Sequence, residues 1–179
     1  DHAQHGQSDA DAAHGLGADV VNSGRTAAAQ AQQHLAEGMA AEGLTTLPKM
    51  TLLCADDEFS QNLARYILQS WQKNLGLYFT MEALPEAELE TRVRVGNYEL
   101  ALCAFQMDVV PDYGFMLRKG NTGNYMRYVS NDMTDLIDQL RTCENQTDFA
   151  YASMAIQQQF ANDVPLICLF YRTGSVLTR

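Results

Sequence analysis

The sequence predicts an α/β fold on a largely parallel sheet, and two observations carry that expectation. Short apolar runs alternate with longer amphipathic ones, in the order strand, helix, strand, helix, strand from Lys49 to Phe105. The longer runs also carry helix start and stop signals at their ends, acids or prolines at the front and glycine behind.

The totals bound the rest. With 179 residues, 46% hydrophobic and 19% charged, the chain can bury one sizeable core and is short for two, so one domain is expected. Its 22 acids against 12 bases give a formal charge of −10, with no Lys/Arg cluster. That balance disfavours nucleic acid and anionic membrane surfaces and suits a cationic or amine-bearing partner. The longest apolar runs, such as "PLICLFY" at 165–171, are far short of the ~20 residues that span a bilayer. No signal pattern opens the sequence and residue 1 is not Met, so the natural start is expected to lie elsewhere.

Residues 1–24, "DHAQHGQSDADAAHGLGADVVNSG", have no apolar periodicity and read as a flexible loop. Their histidines, His2, His5 and His14, lack the fixed framework that a metal site needs, and no metal or cofactor is expected. From Arg25, "RTAAAQAQQHLAEGMAAEG" reads as a helix ending near Gly38 or Gly43, with His34 on its surface.

"KMTLLCADD" is then a short strand, and Asp56 or Asp57 caps the helix "EFSQNLARYILQSWQKN". Phe59, Leu63, Ile67 and Trp71 recur at helical spacing with Tyr66 alongside, a stripe expected to be core, and Gly76 stops the helix. "LYFTMEA" is the next strand, "PEAELETRVRV" a helix with Pro85 in its first turn, and "YELALCAF" a third strand. "NDMTDLIDQLRTC" and "TDFAYASMAIQQQFAND" are helices that begin at Asn/Asp or Thr/Asp caps, and "VPLICLFY" is expected to be a buried strand.

Cys54, Cys103, Cys143 and Cys168 have no metal-like spacing, three of them sit in apolar strand-like runs, and buried thiols are expected. No Cys/His pairing supports a thiol hydrolase.

Ligands of parallel α/β sheets collect at the carboxyl ends of the strands, where Asp56, Asp57, Asp108 and Asp112 fall. Two resemblances read these acids differently. "TLLCADDEFSQNLARYIL" resembles the opening of a response-regulator receiver domain, with an acidic pair for Mg²⁺, and the element order matches through Phe105. Matching "YELALCAFQM" to the receiver's third strand puts Ala104 at the phospho-acceptor position, and no later strand supplies the required Lys. A degenerate receiver-like signalling domain is the alternative reading.

The second resemblance covers residue 25 to Tyr171. "LPKMTLLC", "QSWQKNLGLYFTMEAL", "GNYELALCAFQMDVVPDYGFML", "YVSNDMTDLIDQL" and "NDVPLICLFY" follow in order the motifs of extracellular solute-binding proteins of the peptide and oligopeptide class (family 5), which feed ABC importers. The resemblance implies a periplasmic-binding-protein-like (type II) C-terminal lobe, a mainly parallel or mixed sheet flanked by helices, over residues 25–179. Residues 1–24 would belong to the crossover between lobes. It implies no catalysis and no cofactor. The implied partners are a peptide or related solute, the first lobe of the same full-length protein and ABC permease subunits. The implied location is extracellular, as a cell-surface lipoprotein or in the periplasm.

In peptide-binding members an acid of an A-D-Y segment pairs with the ligand's α-amino group. Counting from Gly96 and Tyr98 places that acid on Asp108 and the preceding aromatic on Phe105, whereas counting back from Pro111 places Val109 there. Met107 stands for the family's Ala. The resemblance thus makes Asp108, Phe105, Gln106, Met107 and Tyr113 the ligand-binding candidates, with Tyr125 a weaker one and Tyr171 in the crossover.

Overall fold

One strand organises the first half of the chain. In a computed structural model, which describes residues 26–104 and 113–170, β1 (Thr51–Ala55) is the middle strand of a parallel sheet ordered β2-β1-β3. Its partners are β2 (Thr80–Leu84), in register from Thr51↔Thr80 to Ala55↔Leu84, and the short β3 (Leu100–Ala101), opposite Leu52 and Leu53. Leu52, Leu53 and Cys54 are all buried. Consecutive side chains point to opposite faces, so both faces of β1 are covered, which explains its unbroken apolar run.

Helix α1 covers residues 26–41. It ends before Gly43, where the Leu44 N–H reaches back to the Met39 carbonyl at 2.8 Å; Gly38, the other expected stop, lies inside the helix. The Gln32 amide donates to the Asn74 carbonyl at 2.6 Å and ties α1 to the end of α2 (Glu58–Leu75).

Asp57 caps α2 by accepting the Ser60 N–H at 2.9 Å. Gly76 terminates it with φ 70 and donates to the Gln72 carbonyl at 3.1 Å, a left-handed conformation that a Cβ would strain. Trp71 and Phe79 meet edge to face, with centroids 5.9 Å apart. The expected stripe is displaced by one position. Ala64 and Leu68 pack on Leu52 and Cys54, whereas Phe59 is 51% and Tyr66 71% exposed. A small residue at the closest approach lets the helix backbone sit near the sheet, and Leu63 and Ile67 are left half-buried beside it.

The chain divides into two compact units: residues up to Glu86 together with Glu99–Cys103, and Ala87–Tyr98 together with residues from Ala104 on. Pro85 directly precedes α3 (Glu86–Val95), as its fixed φ favours at a helix start. The second unit adds α4 (Tyr113–Leu117), α5 (Asn131–Arg141) and α6 (Gln146–Asp163). Leu117, Met133, Ile137 and Ile156 form its core, flanked by Tyr113, Met126, Tyr128, Leu140 and Phe160.

The caps of α5 and α6 fall slightly before the expected residues. Ser130 accepts the Met133 N–H at 3.1 Å and Asn145 accepts the Asp148 N–H at 2.9 Å. The side chain that caps must sit outside the helix it caps, which favours these earlier positions.

The expected closing strand is a correction. Residues 164–170 take neither helix nor strand, and Ile167 is 70%, Leu169 48% and Phe170 52% exposed. An apolar run becomes a strand only where a neighbouring edge receives its backbone hydrogen bonds, and no described strand pairs with it. Among the described residues, no helix is long and apolar enough to cross a membrane.

Candidate functional site

Ligands of parallel α/β sheets collect at the carboxyl edge of the sheet. Beyond β1 the Asp56 N–H donates to the Leu84 carbonyl at 2.9 Å, and beyond β3 the Leu102 N–H donates to the Leu53 carbonyl at 2.8 Å. β1 and β2 therefore end level at Ala55 and Leu84, while β3 stops two residues earlier, opposite Leu53. From that edge the chain runs through Cys103 and Ala104 into residues 105–112. Phe105, Gln106, Met107, Asp108 and Asp112 lie outside the described residues, as does Tyr171.

The acidic pair at the end of β1 is engaged in starting α2. The Asp57 carboxylate holds the Ser60 N–H, and the Gln61 side chain donates to the Asp56 carbonyl at 2.8 Å. No group of three or more His, Cys, Asp or Glu suited to a metal ion occurs among the described residues. Ala104, three residues beyond β3, is exposed and offers no oxygen to phosphorylate.

Tyr113 opens α4 half-buried. Its ring packs against the core of the second unit, and its hydroxyl accepts from the Gln157 amide at 3.4 Å. Tyr125 is held through its backbone, since the Tyr98 hydroxyl donates to its carbonyl at 2.7 Å.

Around Tyr125 the chain is organised by residues that sequence reading did not single out. The Asn124 amide donates to the Tyr128 carbonyl at 2.8 Å while its oxygen accepts the Tyr128 N–H at 3.0 Å. The Asn121 amide holds the Gly114 carbonyl. Arg127, at φ 53, lays its guanidinium over Gly96 and donates to the Val95 carbonyl at the C-terminus of α3. The available signal was composition: "GNTGNYMRY" is dense in residues that replace backbone hydrogen bonds with side-chain ones.

All four cysteines are free. Burial pushes the Cys103 thiol up to about 11, so beside the candidate segment it stays protonated near neutral pH and is a poor nucleophile. Burial, with the Asp57 charge second, also raises the Cys54 thiol. Of the four thiols expected to be buried, Cys54 is; Cys103 and Cys143 are half-buried, and Cys168 is exposed, since the segment carrying it joins no sheet.

Shallow, open grooves mark the described surface. One, of about 610 Å³, lies at the α5–α6 turn beside Cys143, Asn145 and Tyr151; another, of about 450 Å³, lies between α1 and the end of α2. Neither is lined by a residue singled out from the sequence as ligand-binding.

No family model and no curated protein sequence matches the chain. Solved structures do match. The Escherichia coli murein tripeptide binding protein MppA is similar over 77% of this chain and 27% of its own, with 20% identity and a TM-score of 0.67. The substrate-binding domain of an oligopeptide ABC transporter from Bacillus anthracis matches over 78% and 28%, with 17% identity and a TM-score of 0.69. The ABC transporter substrate binding protein CtaP from Listeria monocytogenes matches over 76% and 28%, with 22% identity and a TM-score of 0.66. The chain thus has the α/β fold of a lobe of peptide-type ABC substrate-binding proteins, as the sequence motifs led us to expect, and it spans little more than a quarter of these solved chains.

Proposed function

We propose that the chain is one lobe of a substrate-binding protein of the peptide-type ABC importer class. In this reading the full-length protein captures a peptide or related solute in a cleft between two lobes and delivers it to a membrane permease. It acts outside the cytoplasm and performs no covalent chemistry. The observation that carries the reading is the fold likeness, at TM-scores of 0.66 to 0.69 over three quarters of the chain, to proteins described as binding murein tripeptide and oligopeptide and as an ABC substrate-binding protein.

The sheet edge supports it independently. Ligands of parallel α/β sheets bind beyond the carboxyl ends of the strands, and in the sequence residues 105–112 follow β3. In the proposed site Asp108 receives the ligand's α-ammonium. A carboxylate facing an ammonium in a partly desolvated cleft makes a charge-assisted hydrogen bond of about 1.5–3 kcal/mol. Phe105, Gln106 and Met107 flank that acid on the same segment, and Tyr113 follows it. The chain's formal charge of −10 favours the approach of a cationic terminus.

Closure needs only differential affinity. A ligand that touches both lobes binds the closed state more tightly than the open one and shifts the population toward it. The test compares a peptide with its N-acetylated form, titrated into the full-length protein and into its Asp108→Asn variant. The site reading expects acetylation to weaken binding about tenfold or more in the native protein and far less in the variant. Equal affinity of the native protein for both peptides rejects Asp108 as the amine-binding group.

A further inference from the structure

We infer that Val164 is a strained joint between α6 and the segment that leaves it, held by the hydrogen bond between Tyr128 and Asp163. Val164 has φ 44 and ψ 54, left-handed backbone that Gly or Asn adopts readily and a β-branched residue resists. Pro165 follows, and proline drives the residue before it toward extended backbone. Two separate steric effects therefore oppose this conformation.

Three hydrogen bonds oppose them in turn. The Val164 N–H donates to the Phe160 carbonyl at 2.9 Å, the Gln159 amide donates to the Asp163 carboxylate at 3.0 Å, and the Tyr128 hydroxyl donates to the same oxygen. Only the last comes from outside α6. The Tyr128 ring packs against the core of Leu117, Met133, Ile137 and Ile156, so it ties the final helical turn to rigid structure.

The joint has an alternative state that relieves it. If the last turn of α6 unwinds, Val164 reaches extended backbone and residues 165–170, which lie in neither helix nor strand, change direction. The Tyr128–Asp163 bond sets the balance between the two states. In the clamp proposed above, residues 165–170 lead in sequence toward the crossover expected at Tyr171; that consequence rests on the clamp reading, whereas the joint itself rests on this chain's own backbone.

Amide hydrogen exchange on this chain tests the joint without any ligand or second lobe. Val164→Asn, which suits left-handed backbone, is expected to slow exchange of the Asp163 and Val164 amides about tenfold. Tyr128→Phe is expected to speed it by a similar factor, and the double variant to exchange more slowly than Tyr128→Phe alone. Unchanged or faster exchange in Val164→Asn would overturn the inference. That variant decides the matter alone if Tyr128→Phe proves unstable, and a peptide-binding failure of the full-length protein leaves the result untouched.

Discussion

Arg118 and Asp138 meet through two parallel contacts, Nη1 to Oδ1 at 3.0 Å and Nη2 to Oδ2 at 3.1 Å, joining the residue after α4 to the middle of α5. Fork-on-fork pairing fixes both side chains in one geometry. Both are substantially exposed, at 33% and 48%, so water screens much of the attraction. Replacing either residue by Ala should cost about 0.5–1 kcal/mol, with a double-mutant coupling of the same size that shrinks in high salt. Urea melts of the four variants at low and high salt provide the check; zero coupling would show the pair to be incidental.

Two glycines are fixed by what lies over them. A Cβ on Gly123 would strike the Phe115 ring, and one on Gly96, at φ 73, would strike the Arg127 guanidinium. Gly96→Ala therefore meets backbone strain as well as overlap, and both substitutions should cost about 1–3 kcal/mol. Adding Arg127→Ala should recover part of the Gly96→Ala loss but none of the φ penalty. Full recovery in the double variant would show that conformation is not the constraint there.

The Ser153 hydroxyl on α6 is buried and has no hydrogen-bond partner among the described residues. An orphaned hydroxyl costs on the order of 1 kcal/mol or more, and Ala is also the better helix former. Ser153→Ala should thus raise stability by about 1 kcal/mol. Ile156→Ala, three residues on and fully buried, should lower it by about 2–5 kcal/mol. Thermal melts distinguish the opposite signs, and a loss in Ser153→Ala would mean that its hydroxyl is satisfied after all.

Alkaline pH should weaken the fold through Cys103. Burial raises its thiol from 9.0 to about 11, so the folded chain holds a proton that the unfolded chain has released. The contribution is whole below pH 9 and is lost as pH climbs through 11. Tyr128, raised by burial and by its bond to Asp163, acts in the same direction at higher pH. Asp163 acts oppositely: the Tyr128 and Gln159 bonds lower its pKa, so its contribution is present above the ordinary carboxylate range and lost as pH falls through the folded value. Cys103→Ala should flatten the alkaline limb of the stability profile; an unchanged limb would remove Cys103 as its cause.

The parallel sheet and its helices were legible because local signals are strong there. Asp57 and Gly76 mark the ends of α2 by chemistry confined to a few residues, and an apolar run such as that of β1 states its own burial. The failures involve partners distant in sequence. Which side of α2 faces the sheet depends on how closely Ala64 can approach Leu52 and Cys54, and the 164–170 run needs a pairing edge that its own residues cannot announce. The Asn121, Asn124 and Arg127 network was missed because its partners are backbone groups, which every sequence contains. Of the candidate site, the order of motifs pointed to the segment after β3; its residues from Phe105 to Asp108 lie outside the described structure, and their roles remain the proposal made above.

In the proposed clamp, of which this chain is one lobe, a peptide-type solute drives closure. Small-angle scattering of the full-length protein, with and without a mixture of short peptides, measures that most directly. The radius of gyration should fall with peptide and saturate at one ligand per protein. An unchanged radius and no bound peptide would contradict the clamp.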